Sequence, residues 1–328
     1  MSPLMQTIFQ VAITAHSSLG MIASGFIVVA SYTMWVKGKK CAHLEVILMC
    51  LSLSRILLQG TILHCTFSPT LYQWNALRIQ SILLVLASTA CLWFAACLSV
   101  FYCAKIATFT HRYFLLVKLR ITEMVPMILA GSVLVSLVSC LPSIWVDYNI
   151  PLCNSTGNHL KNITVENQAG GISYLKAFYI YLTWTVLPFL LFVASSTLII
   201  ASLWRHTRQM RQRTMGLKDP RTEAHIAALK SLISFLILYI CTFVADVLHG
   251  APSCRLGIEW KRNICLLVIA VCPSIHTVLL IFFNFRLKSI LLYVACHQKK
   301  DFRFSDESCL TYTGRYYRLN IECIEEKA

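Results

Sequence analysis

Apolar and polar positions alternate along this chain in long blocks: extended apolar runs are separated by short polar segments. Seven runs reach the roughly 20 apolar residues that a helix needs to cross the hydrocarbon core of a bilayer. They occupy residues 8–34, 44–67, 79–105, 124–146, 175–204, 227–249 and 263–285. The pattern therefore predicts an all-α membrane protein built as a bundle of seven transmembrane helices.

Composition supports the same fold class. Hydrophobic residues make up 57% of the 328 residues, only 13% are charged, and the mean hydropathy is +0.66. A soluble globular protein carries about 25% charged residues, so this chain has too few charges to cover a water-facing surface. A soluble globular protein is therefore excluded.

Basic residues are distributed unevenly between the connecting segments. Twelve Lys and Arg lie in the connections after spans 1, 3 and 5, whereas six lie in or beside the connections after spans 2, 4 and 6. Cytoplasmic loops carry the excess of positive charge in membrane proteins. We therefore predict that the N-terminus is outside the cell and the C-terminus is cytoplasmic. We interpret the net charge of +15 as basic loops that contact an anionic inner leaflet rather than nucleic acid.

Two glycosylation sequons provide an independent test of this topology. Asn154 and Asn162 each begin an Asn-x-Ser/Thr motif in the connection after span 4, and sugar is added only on the lumenal side. The seven-helix domain is predicted to span residues 1–290, and residues 291–328 are predicted to form a polar cytoplasmic tail. Residues 287–295 are amphipathic and are expected to lie on the membrane face.

The motifs of common enzymes are missing from the sequence. There is no phosphate-binding GxxxxGK[ST] loop and no HExxH pair, and none of the 15 cysteines forms a CxxC pair. Most cysteines lie inside apolar runs, where they act as small core side chains. We therefore predict no enzymatic activity, no cofactor and no metal.

Charged residues inside predicted spans are costly and mark functional or structural sites. Arg55 lies midway along span 2, and we expect it to bond polar groups such as Ser24 or His276, either as a structural clamp or as part of a switch. His276 itself either binds a metal or relays a proton, or it is a hydrogen-bonded interior residue, which the lack of a carboxylate in its span favours.

The acidic residue Asp246, in the outer half of span 6, has two open interpretations. It either meets a cationic ligand group or pairs with Arg255 or Arg262 of the next loop. Lys105 and Lys230 mark the inner ends of spans 3 and 6, where long basic side chains reach the headgroups.

Span 5 contains Pro188, which removes the hydrogen bond to the carbonyl of Trp184 and is expected to bend the helix. An aromatic set stands on the outer side of this residue: Phe178, Tyr179, Tyr181 and Trp184. Such a set is typical either of packing at the membrane interface or of a cavity for small molecules.

Five motifs stand out on the predicted spans, four of them long and one short. Residues 93–109 read WFAACLSVFYCAKIATF and begin with Trp93, residues 202–210 read SLWRHTRQM, and residues 218–230 read KDPRTEAHIAALK. Span 7 carries HT at 276–277 and NFRLK at 284–288, and span 2 carries SRI at 54–56. Together these motifs resemble the vertebrate type 2 (bitter) taste receptors, and the resemblance covers about residues 20–290 in the family's order. The rhodopsin-like Asp-Arg-Tyr and Asn-Pro-x-x-Tyr landmarks are absent from spans 3 and 7.

The chain departs from the family pattern at several positions. Ser24 stands where the family usually has Asn, Gly60 where many members have Trp, and Leu84 and Ser88 near a family Trp and Asn of span 3. The last two positions contribute to ligand recognition in family members, so the range of ligands is expected to differ. The tail is also longer than in most members, which indicates a divergent member.

The resemblance implies a G-protein-coupled chemosensory receptor in the plasma membrane. Its agonists are expected to be small, bitter-type organic molecules, its partner a heterotrimeric G protein of the gustducin or inhibitory type, and its setting membrane lipid. The ligand-binding candidates are Leu84, Ser88, Tyr181, Trp184, Phe243, Asp246, Leu266 and Ile269. The candidates for G-protein coupling are Lys105, His206, Met210, His225 and Lys230; those for switching or structure are Arg55, Trp93, Pro188 and His276. The alternatives are a vomeronasal type 1 pheromone receptor and a small membrane transporter.

Overall fold

The computed structural model describes residues 3–36, 42–67, 74–106, 112–145, 165–213, 220–251 and 258–300. Within these ranges every residue is helical except Leu141, Ala251 and Asn284. Nine helices follow in chain order: α1 (Pro3–Val36), α2 (Ala42–Phe67), α3 (Trp74–Ile106), α4 (Arg112–Cys140), α5 (Pro142–Trp145), α6 (Val165–Arg213), α7 (Pro220–Gly250), α8 (Ile258–Phe283) and α9 (Phe285–Lys300).

Seven segments of the described chain are long and apolar enough to cross a membrane. They are Pro3–Val36, His43–Phe67, Arg78–Lys105, Arg120–Ile144, Leu175–Gln209, Ala228–Gly250 and Trp260–Phe283. Helices α1 to α3 supply the first three spans, α4 together with the short α5 the fourth, and α6, α7 and α8 the fifth, sixth and seventh. The predicted all-α bundle of seven spans is thus confirmed.

The spans pack around α3 and α8. Helix α1 packs on α2 and α8, α3 packs on α2, α4 and α6, and α7 packs between α6 and α8. Because each span returns across the bundle, α1 begins at one face and α8 ends at the opposite one. We call these the N-terminal face and the C-terminal face.

Proline shapes two of the helices in different ways. Helix α4 ends at Cys140, and α5 restarts after Leu141 because Pro142 has no backbone N–H to donate. In contrast, α6 runs without interruption through the buried Pro188. The bend that we expect at Pro188 stays a prediction.

A close approach of α1 to α8 depends on Gly20. A Cβ atom at this position would overlap the Oγ of Ser274 and would lie 3.2 Å from Nε2 of Gln59. The Gln59 amide donates to Ser274 Oγ at 3.0 Å and to the carbonyl of Ala270 at 2.9 Å. Ser274 in turn donates to the carbonyl of His16 at 3.0 Å, so glycine allows a polar contact that joins three helices.

The turn from α8 into α9 is capped by Asn284. Its side-chain Oδ1 accepts from the backbone N–H of Arg286 at 3.0 Å and of Leu287 at 3.4 Å, as an N-cap residue does. Leu287 has no exposed surface, and the Arg286 guanidinium lies 3.9 Å from the carboxylate of the buried Glu45 in α2. The amphipathic segment predicted at 287–295 is therefore helical and its first turn packs against the C-terminal face.

Candidate functional site

Three helices converge on a buried carboxylate near the N-terminal face. The hydroxyl of Ser88, from α3, donates to Oδ2 of Asp246, from α7. The hydroxyl of Tyr181, from α6, is hydrogen-bonded to the same carboxylate. Ser88 and Asp246 are 4% and 6% exposed, so this polar contact is shielded from solvent. We call these three side chains the Asp246 cluster.

Neither of the expected ion pairs of Asp246 is found among the described residues. The Arg262 side chain is exposed and makes no ion pair with Asp246, and Arg255 lies outside the described residues. His249, one turn nearer the N-terminal face, is within electrostatic reach of Arg262 rather than paired with Asp246. The hydrogen-bond partners of the carboxylate are therefore two neutral hydroxyls.

A column of stacked aromatic rings runs inward from the Asp246 cluster. Phe243 lies three residues before Asp246 on α7, and its ring stacks on Phe189 of α6 with the ring centroids 3.9 Å apart. One turn before Phe243 on α7, the Tyr239 ring stacks on Phe192 and on Phe189, with ring centroids 3.7 Å and 6.1 Å apart. The Tyr239 hydroxyl donates to the carbonyl of Leu92 in α3 at 3.3 Å. We call these four rings the aromatic column; it joins α6 to α7.

The neighbouring wall is apolar. Leu84 of α3 and Leu266 and Ile269 of α8 belong to one packed cluster together with Ala87 and Ala245. Ile269 is fully buried and Leu266 is 7% exposed, so these two side chains form a tightly packed part of this wall. The structure thus brings Leu84, Leu266 and Ile269 together, as the sequence predicted for one site; their contact with a ligand stays a prediction.

A second polar network ties α2 to α8. The Arg55 guanidinium donates to Thr277 Oγ1 at 2.8 Å and to Nδ1 of His276 at 2.7 Å. A guanidinium only donates, so Nδ1 must accept, and the imidazole is neutral with its proton on Nε2. The other side of the imidazole is covered by the ring of Phe235, with centroids 4.3 Å apart.

Of the two partners that we expected for Arg55, one is correct and one is wrong. His276 bonds to the guanidinium, but Ser24 does not; its buried Oγ has no hydrogen-bond partner within the described part of the chain. Thr277 occupies the second acceptor position because it lies next to His276 on α8 and faces α2. No group of three potential metal ligands is found among the described residues, and His276 is accounted for as an interior hydrogen-bonded residue.

Three serines form a link that the sequence did not single out. Ser195 of α6 donates to Ser99 Oγ of α3 at 2.7 Å, and Ser99 and Ser196 are hydrogen-bonded at 2.9 Å. Serines within apolar runs carry no pattern that predicts such a contact between two helices. The contact joins α3 to α6 on the C-terminal side of the aromatic column.

At the C-terminal face the described coupling candidates are exposed. The side chains of Lys105, His206 and Lys230 lie at the ends of α3, α6 and α7. The Lys105 ammonium lies 5.9 Å from the ring centroid of Phe101. Met210 and His225 belong to α6 and α7, but their side chains lie outside what the structure describes.

Comparison with known proteins identifies the family. The family described as "Taste receptor protein (TAS2R)" matches residues 1–299. Taste receptor type 2 member 40 of Gallus gallus is 35% identical over 308 residues, which cover 90% of this chain and 97% of that receptor. Member 119 of Mus musculus is 35% identical over 289 residues, covering 85% of this chain and 82% of that receptor.

The chain belongs to the taste receptor type 2 family.

Family membership establishes a G-protein-coupled receptor of the bitter taste type, a multi-pass membrane protein and not an enzyme. It confirms the resemblance drawn from the motifs and sets aside the vomeronasal and transporter alternatives. A human relative, taste receptor type 2 member 2, is 29% identical over 298 residues, covering 88% of this chain and 96% of that receptor. The match therefore extends over nearly the whole seven-span bundle.

The remaining candidates of the receptor either make no side-chain hydrogen bond within the described residues or lie outside them. Trp184 is half-buried on α6, two turns before Phe192. Trp93 is half-buried on α3, and its Nε1 has no hydrogen-bond partner in the described part of the receptor. The sequons at Asn154 and Asn162 lie outside the described residues, and their glycosylation stays a prediction.

Proposed function

We propose that this receptor detects small, bitter-type organic molecules near the N-terminal face and signals to a G protein of the gustducin or inhibitory type at the C-terminal face. The observation that carries the proposal is the Asp246 cluster, where α3, α6 and α7 meet beside the aromatic column. Polar groups that converge next to aromatic and aliphatic walls are typical of small-molecule sites. The proposed site comprises Leu84, Ser88, Tyr181, Trp184, Phe243, Asp246, Leu266 and Ile269.

The proposal places the N-terminal face outside the cell, in the plasma membrane. The excess of Lys and Arg in the connections after spans 1, 3 and 5 supports this orientation. The sequons at Asn154 and Asn162, between spans 4 and 5, support it independently. The C-terminal face then meets the cytoplasm, where a G protein is available.

Agonist binding must favour a second arrangement of the bundle if it is to produce a signal. The aromatic column offers a route, because it begins beside Asp246 and holds α6 against α7. The proposed coupling surface lies where α6, α7 and α3 reach the C-terminal face and comprises Lys105, His206, Met210, His225 and Lys230. An agonist that displaces Phe243 would therefore change the packing of the two helices that carry most of this surface.

The test is agonist-evoked calcium release in cells that express the receptor with a chimeric G protein. We expect members of a panel of bitter organic compounds to release calcium in these cells and not in cells that lack the receptor. Omitting the chimeric G protein should abolish the response. A receptor that is present at the surface and silent towards the whole panel, or that responds without the G protein, would contradict the proposal.

A matched pair of variants tests coupling at the C-terminal face. His206→Ala is expected to lower the maximal calcium response by at least half at unchanged surface expression, because His206 is exposed at the inner end of α6. Gln209→Ala, on the next turn and also exposed, is the control and should respond like the unchanged receptor. Surface immunostaining of unpermeabilised cells distinguishes a role of His206 in coupling from a role in folding or export. Loss of surface His206→Ala receptor would assign the residue to folding or export instead.

A further inference from the structure

The carboxylate of Asp246 lacks a counter-charge inside the described bundle. Its hydrogen bonds come from Ser88 and Tyr181, which are neutral hydroxyls. Three basic side chains are described at this end of α7 and α8, and none of them makes an ion pair with Asp246: His249, Lys261 and Arg262. With 6% exposure, Asp246 is also too deeply buried for water to screen its charge well.

A buried carboxylate is favourable only where its charge is balanced and its oxygens are bonded. In the Asp246 cluster two hydroxyls bond the carboxylate, but no described group balances its charge. A ligand that carries one positive charge would balance it, and a charge-assisted hydrogen bond to a carboxylate is about twice as strong as a neutral one.

The neighbouring rings suit the same kind of ligand. Phe243 lies one turn before Asp246 on the same helix, and its ring stacks on Phe189. The Tyr181 ring stands across the carboxylate and lies 3.8 Å from where a Cβ on Gly250 would be. The faces of aromatic rings attract cations, and ammonium groups are recognised in proteins by rings arranged around them.

We infer that the Asp246 cluster selects agonists that carry a protonated amine. This inference rests on the proposed function and names the ligand class of that same site. The ammonium group binds the Asp246 carboxylate in place of the Ser88 hydroxyl or beside it, and the apolar remainder of the agonist packs against Phe243 and Leu84. Neutral bitter compounds use the apolar wall alone.

The experiment uses pairs of probes that differ only in charge. Each pair is an arylalkylamine and its neutral N-acetyl derivative, applied to cells expressing the full receptor with the chimeric G protein. On the unchanged receptor the amines should be the more potent members of the pairs. Asp246→Asn should weaken the amines by about tenfold or more, the effect of losing a hydrogen bond to a charged group, and leave the neutral probes nearly unchanged.

A pair of further variants keeps the test decisive if Asp246→Asn fails to reach the surface. Exchanging the two side chains, Ser88→Asp with Asp246→Ser, moves the carboxylate to α3 across the same hydrogen bond. This variant should keep the preference for amines. Ser88→Ala, which leaves the carboxylate in place, should keep it as well.

Failure of this inference differs from failure of the proposed function. If neutral probes activate the receptor as well as the amines do, or if Asp246→Asn weakens both members of each pair equally, the assignment to amines is overturned and the receptor function stands. If the exchanged variant loses the amine preference, the assignment is also overturned. Silence towards amines and neutral compounds alike, with receptor at the surface, overturns the proposed function and this inference together.

Discussion

Gly20→Ala is expected to destabilise the receptor by about 1–3 kcal/mol, the usual cost of forcing an extra carbon into a packed interior. The new Cβ would overlap Ser274 Oγ, so Ser274 must rotate or α1 must move away from α8. Either change breaks the hydrogen bonds that Ser274 makes with His16 and Gln59. The measurement is the thermal unfolding of purified receptor in detergent, together with surface abundance in cells.

The same helix offers a matched control. Gly25→Ala adds the same carbon to α1 where no atom lies within 4 Å, so it should be neutral or stabilise the helix by up to about 1 kcal/mol. Ser274→Ala removes the overlapping oxygen, and adding Gly20→Ala to that variant should cost little further stability. Equal effects of Gly20→Ala and Gly25→Ala would show that α1 and α8 are not in close contact at Gly20.

His276→Leu should lower stability by about 2–3 kcal/mol, because it leaves a buried guanidinium short of an acceptor. Leucine still packs on Phe235, so the loss falls mainly on the bond to Arg55. A buried charge that keeps only Thr277 as its partner on α8 is poorly satisfied. Thermal unfolding of the purified receptor again supplies the measurement.

A double-mutant cycle isolates this bond from general packing effects. Arg55→Met removes the charge and keeps a long apolar side chain, so Arg55→Met combined with His276→Leu should be less destabilised than the sum of the two single variants. Thr197→Val provides a control away from the network, since Thr197 is exposed on α6 and its hydroxyl donates to the carbonyl of Val193 in the same helix. Strict additivity of the Arg55 and His276 variants would mean that their hydrogen bond contributes nothing to stability.

The membrane spans were predictable because lipid imposes a simple rule on sequence. A helix across the bilayer needs a long apolar run, and seven such runs are visible without any knowledge of packing. The ends of the helices were less predictable: α6 covers Val165–Arg213, whereas the apolar run covers 175–204. Its polar terminal turns remain helical beyond the apolar part, and hydropathy does not register them.

Contacts between helices were harder to predict than the helices themselves. Lipid-facing and interior positions are both apolar, so apolar periodicity shows poorly which face of each span points inward. Arg55 and Asp246 could be singled out because charges in a span are costly, but their partners could be predicted only in part. Arg55 bonds the expected His276 together with Thr277 rather than Ser24. Asp246 bonds Ser88 and not Arg262, one of the partners considered for it. The aromatic column was only partly visible, since Phe189, Phe192 and Tyr239 look like ordinary core residues.

The bond from Arg55 to two neighbouring residues of α8 has a consequence for movement in the receptor. Directed hydrogen bonds from a buried charge permit little sliding, so α2 and α8 should travel together as one rigid wall. Rings stacked face to face tolerate small shifts at modest cost, and such rings join α6 to α7. Any displacement within the bundle should therefore begin at the contact between α6 and α7.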